Sequence, residues 1–202
     1  MSDPPSKSQT AYRVTEQAYN KQSDRQRLLA SDNLRYNQEQ SDDNLAVYEG
    51  NDTVYIGWAG TRNDRNNRSD LMSDLAILTE NQDMDDRFTA AQKTLQHIRY
   101  SNPAKHIVAT GHSLGGALAQ HAVKTFRHDQ NVHDITFNAA INPLKHYGAL
   151  PSKPQSRHYH IYGDIFSFIH PLRNINSSST VKWLTRDPNL NPHSLINFKN
   201  VT

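Results

Sequence analysis

Apolar residues in this chain recur at two spacings. Short runs at 45–48, 53–58, 107–109, 135–138 and 158–162 have the length and the β-branched or aromatic content of strands. Between them lie helical repeats: Phe88, Ala91, Leu95 and Ile98 mark a helix over 87–100, and Leu118, Ala122 and Phe126 mark another. The first two strand runs are joined by Glu49-Gly50-Asn51-Asp52, whose centre is turn chemistry, so residues 45–58 predict a β-hairpin. Upstream, Ala11, Val14 and Ala18, then Leu28 and Leu29, predict a helix within 11–30. Residues 1–10, which include two prolines, read as a polar tail, and 31–43, rich in Asn, Gln, Asp and Ser, as loop. Beyond 174 the chain is loop-rich, with a short strand at 181–184 and a short last element at 194–198. Strands alternating with helices after a hairpin predict an α/β fold with a mostly parallel central sheet flanked by helices, in one domain over 11–202.

Composition narrows the class. At 202 residues the chain is long enough for one real core, while 35% hydrophobic residues and a mean hydropathy of −0.82 predict a small core and long solvated loops. A net charge of +2 without a basic stripe argues against a nucleic-acid partner. No apolar run reaches the length of a membrane span, and the start MSDPPSKSQT lacks the apolar core of a secretory signal. The compartment stays open. The absence of cysteine excludes disulfides, thiolate catalysis and Cys-based zinc sites.

The most informative stretch is 106–126, HIVATGHSLGGALAQHAVKTF. It sets Gly111-His112-Ser113-Leu114-Gly115, a G-x-S-x-G pattern, between an apolar run and an amphipathic one, which is the strand–turn–helix context of a nucleophile elbow. Composition alone would place such a pattern somewhere in the chain with a probability of roughly 0.03. At an elbow the serine backbone is strained, and a Cβ at Gly111 or Gly115 would collide with the neighbouring strand or helix. Ser113 would stand exposed at the strand's carboxyl end. The N–H of Leu114, at the helix N-terminus, would point at a developing oxyanion, where the helix dipole reinforces the hydrogen bond. His112 is expected to pack below the elbow.

Gly111-His112-Ser113-Leu114-Gly115-Gly116 resembles the nucleophile motif of the class 3, or fungal-type, lipases, an α/β-hydrolase family. Other blocks resemble the same family in the same order over about 45–198. Ile56-Gly57-Trp58-Ala59-Gly60-Thr61 is similar to its "apolar run, then F-R-G-T", with Ala59 in place of the arginine. Residues 70–75, DLMSDL, resemble its W-x-x-D stretch, with Leu71 where tryptophan is usual and Asp74 retained. Residues 157–171 resemble the strand that carries the acid, and 191–198 the loop of the terminal histidine.

The resemblance implies an α/β-hydrolase fold and a Ser, acid, His order along the chain. Asp164, directly after a strand, is the favoured acid; Asp134 precedes a strand, at its wrong end, and Asp187 sits in a late loop. Among 11 histidines, His193 matches the family's final histidine, with His170 its rival and more in keeping with a residue lining the cleft. Thr61 would join Leu114 in an oxyanion hole, Asp74 would support Thr61 by accepting its hydroxyl proton, and Trp58 would line the substrate cleft. Residues 76–86, AILTENQDMDD, turn polar after three positions and predict a weak, polar lid. The implied substrate is a lipid or acyl ester, triacylglycerol or phospholipid, met in transient contact with a lipid interface and hydrolysed without metal or organic cofactor. The alternative is an inert binding module of the same fold. Oligomeric state is left open.

Overall fold

The structure, a computed structural model, describes residues 6–25, 33–61, 82–140, 155–164 and 180–202. Helix α1, Lys7–Ala18, starts four residues before the boundary that the apolar spacing predicts. The reason is a capping box: Ser6 Oγ accepts the Gln9 N–H and Gln9 Oε1 accepts the Ser6 N–H, each at 3.2 Å, so two amides that a helix start leaves open are satisfied. Residues 7–10 therefore belong to the helix and not to a tail. The stripe of Ala11, Val14 and Ala18 is fully buried, as its spacing predicts. The helix stops at Tyr19, and a second, short helix α2 spans Gln22–Arg25, so the helix expected within 11–30 is interrupted.

Part of the expected loop at 31–43 also becomes a strand. β1, Arg35–Tyr36, pairs antiparallel with β2, Leu45–Glu49, which forms the predicted hairpin with β3, Thr53–Trp58. From β3 onward every pairing is parallel, through β4 (His106–His112), β5 (Val132–Phe137), β6 (Arg157–Ile161) and β7 (Thr180–Leu184). The described strands make one seven-stranded sheet in the order β1-β2-β3-β4-β5-β6-β7. Parallel neighbours need crossovers, and among the described residues two are helical: α3, Gln82–Ser101, between β3 and β4, and α4, Leu114–Lys124, between β4 and β5.

Period-two alternation along the strands sends residues to opposite faces, and both faces are covered. On one face Val47, Ile56, Ile107 and Ala109 pack with Leu95 and Ile98 of α3 and Leu118 and Ala122 of α4. On the other, Tyr48, Val108, Ile135 and Phe137 pack with Ala11 and Val14 of α1 and with Phe198 of a terminal 3₁₀ turn, Leu195–Phe198. Helix α1 is fixed there by a buried polar contact as well: Thr15 Oγ1 meets Thr110 Oγ1 at 2.8 Å, and the Thr110 hydroxyl also lies 2.7 Å from the Ile135 carbonyl. The result is a mostly parallel sheet between helical layers, the α/β-hydrolase arrangement that the sequence predicts. No described helix is long and apolar enough to cross a membrane. Of the expected lid, 76–81 lies outside the described residues, while 82–86 forms the first turns of α3.

Candidate active site

The turn from β4 into α4 is tight because its glycines let backbones meet. A Cβ on Gly111 would overlap the Gly115 carbonyl group, and one on Gly115 would overlap the Trp58 carbonyl of β3. Both collisions are of the kind that the motif predicts. Between these glycines Ser113 takes φ 56° and ψ −126°, outside the regions that L-residues adopt easily. Its peptide is held on both sides: Ser113 N–H donates to the Phe137 carbonyl at 3.2 Å, and its carbonyl accepts the N–H groups of Ala140 at 2.9 Å and Ala117 at 3.1 Å. A backbone so over-determined keeps its strain. Ser113, expected to stand exposed, is instead buried, because the segments that pack around the elbow cover it, and among the described residues its Oγ has no hydrogen-bond partner.

Ser113 opens onto a cleft of about 280 Å³ lined by Glu16, Tyr19, Thr61, His112, His193 and Leu195, among others. Leu114, the first residue of α4, has its N–H at the helix N-terminus without an acceptor inside the helix. Thr61 follows β3 and reaches the cleft from the neighbouring strand. His193 arrives on the terminal loop, where its N–H donates to Asn191 Oδ1 at 3.0 Å and the Ser194 N–H closes back onto the Asn191 carbonyl at 2.9 Å. Its Nδ1 lies 3.1 Å from both carboxylate oxygens of Asp164, which is itself buried. Asp164 stands just past β6, after a turn through Gly163 at φ 83°, closed by its N–H on the Ile161 carbonyl at 3.2 Å. With a carboxylate on Nδ1, that nitrogen carries the proton and Nε2 is left as the basic atom, the state in which an imidazole accepts a proton from a hydroxyl.

His112 is buried, as expected, but it does more than fill space. Its Nε2 is 2.7 Å from the His193 carbonyl, so this nitrogen must carry the proton and donate. Nδ1 is then an acceptor, facing the Tyr19 hydroxyl at 3.5 Å. Burial, and next the neighbouring His193, hold His112 well below the usual imidazole value, while its bond to the His193 carbonyl acts the other way. The ring is neutral. Tyr19 in turn accepts the Gly60 N–H at 2.9 Å, tying the end of α1 to the loop that carries Thr61.

The other candidates are placed differently. Trp58, expected along the cleft, is buried in the core layer with α3 and α4 and is not among the described residues lining the cleft. Asp134 does not precede a strand: it is the third residue of β5, with Ser156 Oγ donating to its carboxylate at 2.6 Å. Asp187 is exposed and accepts the Asn189 N–H at 2.9 Å in a surface turn. His170, Leu71 and Asp74 lie outside the described residues. Glu16, Tyr19 and Leu195 line the cleft without any signal in their local sequence, because only the packing of α1 and the terminal loop against the sheet brings them there.

The profile of the family described as Lipase (class 3) matches residues 57–143, the span from the end of β3 to just beyond β5. Solved structures similar in fold include a Rhizomucor miehei lipase–propeptide complex, at 19% identity and TM-score 0.52 over 81% of this chain and 62% of that one. Another is a lipase from Rhizopus microsporus var. chinensis, at 16% identity and TM-score 0.54 over 90% of this chain and 75% of that one. The chain thus spans 62% of the Rhizomucor chain's length, and at these identities the likeness is one of fold. No curated protein sequence matches it.

Proposed function

We propose that this chain is a class 3 lipase-like serine carboxylic-ester hydrolase of the α/β-hydrolase superfamily that acts on lipid esters. The observation that carries the reading is the convergence on one cleft of Ser113, on a strained strand-to-helix turn, and His193, whose Nδ1 is held by Asp164. In this reading His193 Nε2 takes the Ser113 proton as Oγ attacks the ester carbonyl. The negative charge that forms on the carbonyl oxygen is met by the Leu114 N–H and by Thr61. The imidazolium is stabilised by Asp164 and returns its proton to the leaving alcohol. Water, activated by the same imidazole, then releases the acid from Ser113, and the enzyme is restored without metal or organic cofactor. The substrates we propose are triacylglycerols or phospholipids cleaved at an acyl ester, reached by transient contact with a lipid interface.

Two measurements test this. A fluorophosphonate probe should label Ser113 in the native chain and fail to label Ser113→Ala. A panel of p-nitrophenyl esters, triacylglycerols and phospholipids of graded chain length should then show turnover and rank the head groups. Absence of both labelling and turnover would favour an inert binding module of the same fold.

A further inference from the structure

Asn138, the residue after β5, is fully buried and has φ 41°, in the left-handed region where glycine rests without penalty and other residues are uncommon. The chain carries a side chain here, and its amide joins the end of β6 to the terminal loop. Oδ1 accepts the Ile161 N–H at 2.9 Å, and Nδ2 donates to the Pro192 carbonyl at 3.1 Å. Ile161 is the residue whose carbonyl closes the turn on the Asp164 N–H, and Pro192 directly precedes His193. The bonds therefore form a circuit: Asn138 to Ile161, Ile161 to Asp164, Asp164 to His193, and from Pro192 back to Asn138. The same backbone stretch holds Ser113, since Phe137 and Ala140, on either side, bond its N–H and its carbonyl. Asn197 Nδ2 also approaches the Pro192 carbonyl, at 3.4 Å, but from within the terminal loop, so it does not link that loop to the sheet.

We infer that Asn138 is a positioning residue, whose side-chain amide sets the distance between the strand end carrying Asp164 and the loop carrying His193, and so fixes the imidazole against Ser113. The inference rests on the triad reading above. It follows from geometry that a loop alone does not provide: the terminal loop is joined to the sheet here by side-chain bonds and packing, so its carbonyl needs a partner anchored in the sheet. A reacting imidazole displaced by about 1 Å loses rate by about 100-fold even when the change lies away from the chemistry.

The test is Asn138→Gly, which keeps the left-handed backbone and deletes the amide, beside Asn138→Asp, which keeps shape and the acceptor for Ile161 but sets an oxygen against the Pro192 carbonyl. With p-nitrophenyl butyrate, both should lower kcat about 10- to 100-fold per folded molecule with KM little changed. A second readout needs no turnover: the low-field proton resonance of His193 Nδ1, held by Asp164, should be present in the native chain and broadened by solvent exchange in both variants. Should Asn138→Gly fail to fold, Asn138→Asp carries the comparison. Native kcat together with a native Nδ1 resonance in the variants would overturn the inference, as would an activity loss that only tracks the folded fraction. If the native chain hydrolyses no ester while the resonance still depends on Asn138, the hydrolase reading falls and the positioning of His193 against Asp164 stands.

Discussion

His112 and His193 lie 81 residues apart, yet the ring Nε2 of the first donates to the main-chain carbonyl of the second over 2.7 Å. The residue beside Ser113 thereby holds the loop that delivers His193. It does so only while its ring is neutral enough to sit buried between His193 and Tyr19.

That dependence gives a pH signature. In the unfolded chain His112 titrates at about 6.5, and in the folded chain well below it, so on acidification the unfolded state takes up the proton first. The stability it contributes is fully present above about pH 6.5 and is lost as pH falls below that, by at most about 1.4 kcal/mol per pH unit for one group. His112→Gln, which keeps a donor for the His193 carbonyl but cannot titrate, should flatten the fall in Tm between about pH 7 and 5. His112→Leu, with no donor, should keep the flat profile and lose kcat. An unchanged slope in His112→Gln would show that other groups set the acid sensitivity.

At Ser113 the backbone strain and the chemistry separate. Ser113→Ala and Ser113→Gly should both abolish ester hydrolysis, but glycine adopts φ 56° and ψ −126° without the Cβ penalty. With strain of about 1–3 kcal/mol per such residue, set against glycine's larger entropy loss, the glycine variant should be the more stable by roughly 1 kcal/mol in urea unfolding. A glycine variant less stable than the alanine one would mean that the turn is not strained at this residue.

Thr61 separates a hydroxyl donor from an amide donor. Loss of one oxyanion donor costs about 10² to 10³ in kcat. If the hydroxyl is the donor, Thr61→Val should fall by that factor and Thr61→Ser should stay close to the native rate. Equal rates in all three proteins would leave only the N–H in the role.

Away from the site, Arg25 ties two segments together. Its fully buried guanidinium donates to five main-chain carbonyls, of Ala18, Asn20, Asp42, Asp43 and Leu45, at 2.6–3.1 Å, and so joins the end of α1 to the start of the hairpin. Charge-assisted bonds of this kind are worth more than neutral ones, and Arg25→Met would leave several buried carbonyls open. A loss of at least about 3 kcal/mol is expected, or roughly 6–12 °C in Tm for a chain of this size. Calorimetry on Arg25→Met and Arg25→Lys checks this, with Lys expected to recover little because one ammonium cannot serve five divergent carbonyls.

Local pattern alone determined much of this protein. Short apolar runs and turn chemistry defined the hairpin, helical spacing defined α3 and α4, and Gly111 to Gly116 defined the elbow, because each depends on forces between residues close in sequence. The start of α1 was equally local: Ser6 and Gln9 are a capping box on the face of the sequence, although the polar composition of 1–10 argues for a tail. What the tertiary structure alone decided concerns pairs far apart in the chain. The short strand Arg35–Tyr36 exists because β2 offers it an edge, and Arg25 is buried because five carbonyls converge on it, neither of which a polar stretch announces. Trp58 looked like a cleft residue by its place in a motif, but the pleat of β3 turns it into the core. His112, Asn138 and Tyr19 each act on segments from 23 to 93 residues away, through hydrogen bonds whose partners are set by sheet register and loop path. A sequence names the groups that do chemistry through their type and immediate neighbours; the groups that hold them in place are chosen by distance in space, which the order of residues does not state.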